Sequence, residues 1–367
     1  MTVRFIEAVQ DNKSVITTHA LFALLNEWDL DALKNLTEYE LIIDETIVLV
    51  NKEVIRSVDI ELARDAGLIE VQGHPTIEGL EFYSMLPAGG NHKERGGILT
   101  KIINAVSGKH IYVVDERNIV FVVPPEKFES FRNVTLLTYL FDGSETNAWL
   151  DVFRLPYEHK ELYKIDETKT GKKPHDCSYS GKQFEHLLTV YDDKINDIGE
   201  KHRKYLGLPL GQTWFVKKGP KHPDVLKLYN NIRTFFRHMS CKREDFLWTC
   251  FKPHIEWLRH NEFALKSIDP EETPETWLAA NTRATNAYSG RHALAFLINV
   301  NQFPELIRFF NEQGVNFNND NFALSRVLQW TWRSAIRKGE PVTLYLPSER
   351  MRTLVKLWFM DPLLRLL

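Results

Sequence analysis

The strongest constraint on the fold is a pattern of helix-forming and helix-ending residues close to the end of the chain. Asparagine and aspartate residues just before Phe322 can cap a helix, because their side chains accept hydrogen bonds from free backbone N–H groups. Gly339 suits the left-handed residue that ends a helix, and Pro341 cannot continue one. We therefore predict one helix over residues 322–338.

A strand and a second helix follow this helix. Apolar and polar side chains alternate between Val342 and Leu346, which is the period of a half-buried strand. Ser348 can then cap a helix that runs from Glu349 to Trp358. Helix, strand and helix in this order are typical of α/β proteins, so the segment predicts an α/β fold.

Three polar residues, Gln329, Arg333 and Arg337, recur every four positions along the first of these helices. Residues at this spacing lie on one face of a helix. Two guanidinium groups one turn apart, with an amide a turn before them, suit a chain of phosphates, because arginine offers permanently charged, forked donors. A solvated basic helix face explains the same pattern equally well, so the stripe alone leaves both interpretations open.

An apolar run that ends in two carboxylates lies near the start of the chain. Residues 39–45 predict a buried strand with Asp44 and Glu45 at its carboxyl end. In a parallel sheet, ligands bind at that end of the strands. Such a pair can serve phosphoryl transfer, with Asp44 holding Mg²⁺ and Glu45 orienting the attacking water. The alternative is that two acidic residues simply begin a loop.

Further elements are predicted from periodicity and turn residues. We predict helices over residues 55–68, 124–131, 184–205 and 223–239, and strands over residues 14–19, 110–114, 118–123 and 134–141. The second and third of these strands read as a hairpin. The polar segment 157–183 looks like a link between two domains, 1–156 and 184–367.

Composition places the chain among globular proteins. Its 367 residues suffice for two domains of ordinary size, and a hydrophobic content of 43% suffices for their cores. No apolar run approaches the length of a membrane span, and the N-terminus does not read as a signal sequence. Cys177, Cys241 and Cys250 lack disulfide or zinc-ligand spacing. We therefore expect a cytoplasmic protein with reduced thiols, no membrane partner and no zinc.

Positive charge is concentrated in the C-terminal half, although the formal net charge is −3. Residues 201–243 hold eleven lysines and arginines and one acidic residue, Asp224. Aromatic residues that could stack on bases are interleaved with these charges, namely Tyr205, Trp214, Phe215, Tyr229, Phe235 and Phe236. The pattern favours binding of a nucleic acid over the alternative, a lysine-rich solvated helix.

The pattern Gln329-x3-Arg333-x3-Arg337 before a strand resembles the last motif of superfamily-two helicases. In those proteins a glutamine and two arginines reach across a cleft between domains to ATP. The run from Asn281 to Arg352 begins with Asn-Thr-Arg-Ala-Thr-Asn-Ala-Tyr and ends with Pro-Ser-Glu-Arg-Met-Arg, and it resembles helicase-like proteins of bacteriophages and mobile elements. In most helicases the second arginine follows the first by three residues, whereas here the gap is four.

The resemblance implies roles for several further residues. A Thr-Thr-His strand end touches the nucleic-acid backbone in these helicases, and Thr17, Thr18 and His19 stand in that order before the Asp-Glu strand. Thr138 and Ser144 are the nearest counterparts of the segment that links the state of ATP to the grip on nucleic acid. The motif shared by nucleotide and nucleic acid implies three donors, Arg283, Thr285 and Asn286. The structural alternatives are a strand end that caps the next helix and a surface loop that leads into a buried helix.

One element of the helicase pattern is missing. The sequence contains no Gly-x4-Gly-Lys-Ser/Thr loop, the Walker A or P-loop that holds the β and γ phosphates of ATP in these motors. In helicases that loop precedes the Thr-Thr-His strand, which here starts only thirteen residues into the chain. The resemblance therefore implies two RecA-like α/β domains with parallel sheets, the first one truncated at its N-terminus.

The expected function is that of a helicase-like protein that binds DNA, single-stranded or forked. By resemblance it is a helicase or translocase dependent on ATP and Mg²⁺, with hydrolysis requiring a separate fragment that carries the phosphate-binding loop, or a replication protein as partner. The alternative is a non-catalytic module, derived from a helicase, that binds DNA or a protein partner. A nuclease is weaker still, because the acidic pair is not part of a wider cluster with a lysine at metal-site spacing. The implied origin is a phage or mobile element in a bacterial cytoplasm.

Overall fold

A computed structural model of the chain describes residues 2–19, 22, 36–45, 47–73, 81–85, 102, 110–115, 118–164, 170–174, 180–196, 198, 208–266, 274–282 and 285–360. Contacts divide the chain into two compact units. Unit 1 contains Met1–Tyr157 and Gln302–Asn318, and unit 2 contains Glu158–Asn301 and Asn319–Leu367. Segment 302–318 therefore belongs to the unit that is otherwise built from the N-terminal part of the sequence.

The strands are β1 (Glu40–Asp44), β2 (Val50–Glu53), β3 (Ile69–Gly73), β4 (Glu81–Met85), β5 (His110–Asp115), β6 (Asn118–Val122), β7 (Asn133–Leu137), β8 (Lys160–Lys164), β9 (Thr170–Pro174), β10 (Leu188–Val190), β11 (Phe246–Thr249), β12 (Ala293–Phe296) and β13 (Val342–Tyr345). The α-helices are α1 (Thr2–Gln10), α2 (Ser57–Asp65), α3 (Glu126–Glu129), α4 (Glu145–Val152), α5 (Gln212–Lys218), α6 (Pro223–His238), α7 (Ile255–Leu258), α8 (Pro304–Glu312), α9 (Asn319–Thr331) and α10 (Glu349–Phe359).

In unit 1, β1 and β7 form a parallel pair in which Asp44 lies opposite Leu137. Ile43 faces the interior, whereas Ile42 on the other face is 63% exposed. The prediction of a strand that ends in the acidic pair is confirmed, but the prediction that it is buried is wrong. The strand β7 is also shorter and more exposed than the predicted strand 134–141. Leu140, whose φ is 53°, turns the chain soon after β7 ends.

The larger sheet of unit 1 is antiparallel, with strand order β2-β6-β5. The predicted hairpin of β5 and β6 is confirmed, as are the predicted helices now seen as α2 and α3. The helix α8 packs against β2, β5 and β6 and against α4. Its Leu306, Phe309 and Phe310 are buried, so this helix contributes apolar side chains to unit 1 although the sequence places it far downstream.

Unit 2 contains a four-stranded, all-parallel sheet with strand order β10-β13-β12-β11. Five apolar residues of α6 form one core with alternate residues of β11 and β12 and with Tyr345 of β13. Phe296 points to the opposite face, because strand side chains alternate, and its ring lies 5.3 Å from that of Trp330 on α9. Helices therefore cover both faces, as parallel sheets require.

Two predictions of secondary structure before residue 206 are wrong. Residues 14–19 form no strand: Asn12, with φ of 56°, ends α1, and the Lys13 N–H bonds back to the Ala8 carbonyl. The described part of the predicted helix 184–205 instead contains β10, because Leu188–Val190 pairs with β13 and short β-branched runs suit a sheet edge. The described part of segment 157–183, the predicted link between domains, contains β8 and β9, which pair antiparallel, and the chain passes from unit 1 to unit 2 between Tyr157 and Glu158.

The predicted helix 322–338 is interrupted. The α-helix α9 ends at Thr331, and a separate 3₁₀ turn spans Ala335–Lys338. The Ser334 hydroxyl donates to the Thr331 carbonyl at 2.6 Å, and the Ala335 N–H donates to the Arg291 carbonyl at 3.0 Å, so neither group continues the helix. The predicted strand and helix that follow are confirmed as β13 and α10, and α6 confirms the predicted helix 223–239.

Candidate functional site

The acidic pair lies where two parallel strands of unit 1 end together. The Glu45 N–H donates to the Leu137 carbonyl at 2.9 Å, so Asp44, Glu45 and Thr138 leave the sheet at one edge. Backbone amides and side chains at the carboxyl edge of parallel strands are a common ligand site. The register of β1 on β7 therefore gives the two carboxylates a neighbouring hydroxyl.

The backbone at Glu45 adopts a conformation that is uncommon for a residue with a side chain. Its φ is 65°, in the left-handed region. Such a backbone costs roughly 1–3 kcal/mol, and residues of this kind are concentrated at functional sites. The turn at Glu45 redirects the chain at once after β1, which keeps the two carboxylates at the strand end.

Thr138 and Ser144, the two predicted site residues that follow β7, make different local hydrogen bonds. The Thr138 hydroxyl donates to the Tyr139 carbonyl at 3.5 Å and is exposed. The Ser144 hydroxyl accepts the Asn147 N–H at 3.0 Å and so caps α4. Capping explains why serine stands at position 144, whereas Thr138 is half-buried and caps no helix.

The carboxylates fit a hard divalent cation. Mg²⁺ is usually held by one or two carboxylates and completes its shell with water and substrate phosphates. Asp44 is exposed at the strand end, and such a shell needs an open position there. Among the described residues, no group of three or more His, Cys, Asp or Glu could hold a metal by itself. Water molecules or oxygen atoms of a bound ligand would complete the coordination.

Thr17, Thr18 and His19 lie on an irregular segment rather than on a strand end. Thr17 and Thr18 are exposed and His19 is half-buried. The Thr18 carbonyl accepts the Phe22 N–H at 3.2 Å. This hydrogen bond has the four-residue spacing of a helical turn, and both threonine side chains lie on the surface.

The arginine motif in unit 2 does not form the expected stripe. Because α9 ends at Thr331, Gln329 and the two arginines do not share a helix face. Arg333 is 9% exposed, whereas Arg337 is exposed and donates to the Asn286 side-chain oxygen at 2.6 Å. The Gln329 amide donates to the Ser325 hydroxyl at 3.4 Å. The two guanidinium groups therefore have different environments.

The hydrogen bond between Arg337 and Asn286 joins two segments that were each predicted to hold site residues. Thr285 is next to it, and its hydroxyl accepts the Ala287 N–H at 3.3 Å. Arg283 lies outside the described residues. The apolar segment that follows is β12 rather than a buried helix. The Asn286 segment precedes β12 and Arg337 precedes β13, so both lie at the amino edge of the sheet.

Base stacking by the aromatic residues of the basic region is excluded for most of them. Trp214, Phe215 and Phe235 are at most 1% exposed and Phe236 is 9% exposed, because all four belong to the core under α5 and α6. Tyr229 is half-buried and Tyr205 lies outside the described residues. The aromatic periodicity marks the buried faces of two helices, and most of the lysines between them face solvent.

Arg350, which the sequence did not indicate as a site residue, donates five hydrogen bonds to described residues of unit 2. The Arg350 guanidinium donates to the Asp320 carboxylate at 2.6 and 2.8 Å, to the Asn299 side chain at 2.9 Å and to the Val300 carbonyl at 2.6 Å. It also donates to the Asn319 carbonyl at 3.1 Å. Arg350 belongs to the Pro-Ser-Glu-Arg-Met-Arg run that resembles helicase-like proteins, but its hydrogen-bond partners are far from it in sequence and could not be predicted without the fold.

A parallel sheet covered by helices on both faces, with polar residues gathered at strand ends, defines unit 2 as a Rossmann-like α/β domain. The family model described as the YonV C-terminal Rossmann-like domain matches residues 182–359. The chain is 30% identical over 357 residues to the SPbeta prophage-derived uncharacterized protein YonV of Bacillus subtilis (strain 168), in a match that covers 95% of this chain and 80% of the relative. The chain therefore belongs to the YonV family.

No solved structure matches the chain significantly. Within the described residues, no helix combines the length and the apolar character needed to cross a bilayer.

Proposed function

We propose that the chain is a helicase-like protein that binds single-stranded or forked DNA and is built on two RecA-like domains. The supporting observation is the parallel register of β1 and β7, which brings Asp44, Glu45 and Thr138 to one sheet edge. In this proposal Asp44 holds Mg²⁺ and Glu45 orients the water that attacks the γ phosphate. The metal ion would neutralise phosphate charge when bound.

Hydrolysis of ATP would need a further component. The sequence has no Gly-x4-Gly-Lys-Ser/Thr loop, and the charge-assisted hydrogen bonds that such a loop donates contribute roughly 1.5–3 kcal/mol each. We infer that a separate P-loop-bearing fragment or a replication protein supplies them. The prophage origin of the Bacillus subtilis relative agrees with a phage or mobile-element origin, and with action in a bacterial cytoplasm.

A non-catalytic module is the second candidate. It is favoured by the different environments of Arg333 and Arg337, since one is buried and the other is held by Asn286. In this version the scaffold binds DNA or a protein partner and turns over no nucleotide.

The DNA-binding part of the proposal is tested by titrating a labelled forked oligonucleotide at several salt concentrations. Each phosphate contact on a single strand contributes about −0.7 to the slope of log K against log salt, so six contacts give a slope of about −4. Affinity that does not change with salt, or no binding at low salt, contradicts the proposal.

ATP turnover separates the two candidates. The enzyme candidate predicts turnover only when a P-loop-bearing fragment is added, and Glu45→Gln should lower that turnover by about 100-fold or more. Glu38→Gln, at an exposed position just before the same strand, is the matched control and should have no effect. DNA binding without turnover under any of these conditions supports the non-catalytic module.

A further inference from the structure

The corner between α5 and α6 is rigid and carries exposed positive charge. The helices are joined by four residues, of which Gly219 has a φ of 74° and ends α5. His222 caps α6 by accepting the Asp224 N–H at 3.1 Å, and Pro223 occupies the first turn of that helix. Each of these devices fixes the path of the chain between the two helices.

A buried ion pair holds the two helices together. The Lys218 ammonium donates to the Asp224 carboxylate at 2.7 Å, and the Lys218 side chain is 1% exposed. The same ammonium lies 5.4 Å from the centre of the Trp214 ring, which is part of the core. The corner therefore has a fixed shape before any ligand binds.

This pairing leaves the surface of the corner with unbalanced charge. Asp224 is the only acidic residue between Gln212 and Asn230, and Lys218 already neutralises it. Lys217, Lys221 and Lys227 are exposed, and among the described residues none of the three has an ion-pair or hydrogen-bond partner. Three ammonium groups thus face solvent on one short segment.

The second half of α6 differs from this corner. Arg233 and Arg237 both donate to the Glu262 carboxylate, and the Arg243 side chain donates to the Glu262 carbonyl at 3.1 Å. These arginines therefore tie the end of α6 and the segment after it to the loop that follows α7. Among the described residues of α5 and α6, the lysines without an ion-pair partner therefore lie around the α5–α6 corner, whereas the arginines of α6 are paired.

We propose that Lys217, Lys221 and Lys227 at the α5–α6 corner bind the phosphate backbone of DNA, in a nucleic-acid contact that rests on the proposed function. Ammonium groups on a preorganised scaffold contact phosphates without reading sequence. The buried aromatic residues beneath the corner contribute its rigidity and do not stack on bases. Binding at this corner is therefore insensitive to base sequence.

The test compares the full chain with the triple variant Lys217→Ala, Lys221→Ala, Lys227→Ala. Loss of three phosphate contacts on a single strand makes the salt slope shallower by about 2. Between roughly 50 and 200 mM salt, the wild type should then lose about 20-fold more affinity than the variant. The triple variant with arginine at the same positions should keep the slope of the wild type.

The matched control is the triple variant Lys182→Ala, Lys252→Ala, Lys266→Ala, which removes three other exposed lysines of unit 2 and should leave the slope unchanged. Unfolding curves of both variants check that unit 2 remains folded. If the wild type binds the oligonucleotide and the corner variant binds it with the same slope, the corner proposal fails and the proposed function stands. If the wild type binds vesicles of anionic lipid or an acidic polypeptide but no DNA, both fail.

Discussion

His254 has an environment that suits only its neutral form. The side chain is 4% exposed, and neither ring nitrogen has a hydrogen-bond partner among the described residues. The ring stacks on Phe215 with centres 5.0 Å apart and lies 4.2 Å from the Trp257 ring. Burial lowers the pKa of His254 below its ordinary value of 6.5, because a charged imidazolium would lose its hydration.

We expect unit 2 to lose stability as the pH falls below about 6.5, since the unfolded chain then takes up a proton that folded His254 resists. His254→Phe should remove this contribution and make the free energy of unfolding less dependent on pH between about 7.5 and 5.5. At the upper pH the free energy of unfolding of the variant should differ from that of the wild type by less than about 1 kcal/mol. The reason is that an apolar ring replaces a ring with two buried nitrogen atoms that have no hydrogen-bond partner among the described residues. Chemical unfolding at both pH values measures the difference.

His186→Phe, at an exposed position in unit 2, is the control and should keep the pH dependence of the wild type. An equal pH dependence in the His254 variant and the wild type would show that other groups titrate in this range.

At the scale of elements, α8 is the helix whose position was least predictable. Its amphipathic sequence indicates a helix but does not identify a partner, and its partner strands β2 and β5 precede it by most of the chain. The Lys52 ammonium meets the Glu305 carboxylate at 2.6 Å, and the Tyr112 hydroxyl donates to the Glu312 carboxylate at 2.7 Å. The Phe309 ring lies 5.2 Å from the Tyr112 ring.

Phe309→Ala should destabilise unit 1 by about 3–5 kcal/mol, because the ring is fully buried and its loss leaves a cavity. Tyr112→Phe should cost about 0.5–1.5 kcal/mol by removing a hydrogen bond to a charged acceptor that solvent partly screens. That hydrogen bond lowers the pKa of Glu312, so its contribution is present above pH about 4.5 and is lost as the pH falls further. Denaturant unfolding of both variants measures these effects.

The control is Asn311→Ala, at an exposed position on the same helix, which should change the free energy of unfolding by less than about 0.5 kcal/mol. A Phe309→Ala variant as stable as this control would mean that α8 does not contribute to the core of unit 1.

Local sequence patterns correctly predicted the helices and strands in which the spacing of apolar residues and the residues at the ends indicate the same element. Gly339, Pro341 and Ser348 marked correct boundaries around β13 and α10, and β1 was found with its acidic end. The failures have a common cause in tertiary hydrogen bonds. The Arg291 carbonyl takes the Ala335 N–H and ends a helix that propensity would continue, and β13 recruits Leu188–Val190 into its sheet.

The candidate site was predictable to a smaller extent. Asp44 and Glu45 could be placed at a strand end, since an apolar run followed by acids is a local signal. The pairing of Arg337 with Asn286 depends on the order of β12 and β13 in the sheet, which the sequence does not state. Interleaved aromatic and basic residues suggested stacking surfaces, but the same spacing equally describes a helix with one buried face.

At the scale of the whole molecule, the chain leaves unit 2 after Asn301 and returns to it at Asn319. The two ends of this excursion are held together, because the Asn319 amide donates to the Asn301 side-chain oxygen at 2.9 Å. Arg350 bonds to residues on both sides of the excursion. Contacts within unit 2 therefore hold Asn301 and Asn319, the residues on either side of the excursion, next to each other.

Replacing Gln302–Asn318 with a short glycine-serine linker should leave unit 2 folded, because its two ends already lie side by side. Unit 1 should lose its cooperative unfolding, since the buried residues of α8 are removed with the segment. Limited proteolysis and hydrogen exchange report on the two units separately. Adding residues 302–318 back as a peptide should restore protection in unit 1, and protection of unit 1 without it would contradict this prediction.

The late position of α8 has a consequence for biosynthesis. A ribosome releases Met1–Tyr157 long before it makes Phe309 and Phe310, so the first half emerges without two of the side chains that complete its interior. At ordinary elongation rates of about 5–20 residues per second, the delay is on the order of ten seconds or more. During that interval the apolar side chains that pack against α8 remain uncovered, and chaperone occupancy on stalled nascent chains should end only when Glu312 has emerged from the ribosome.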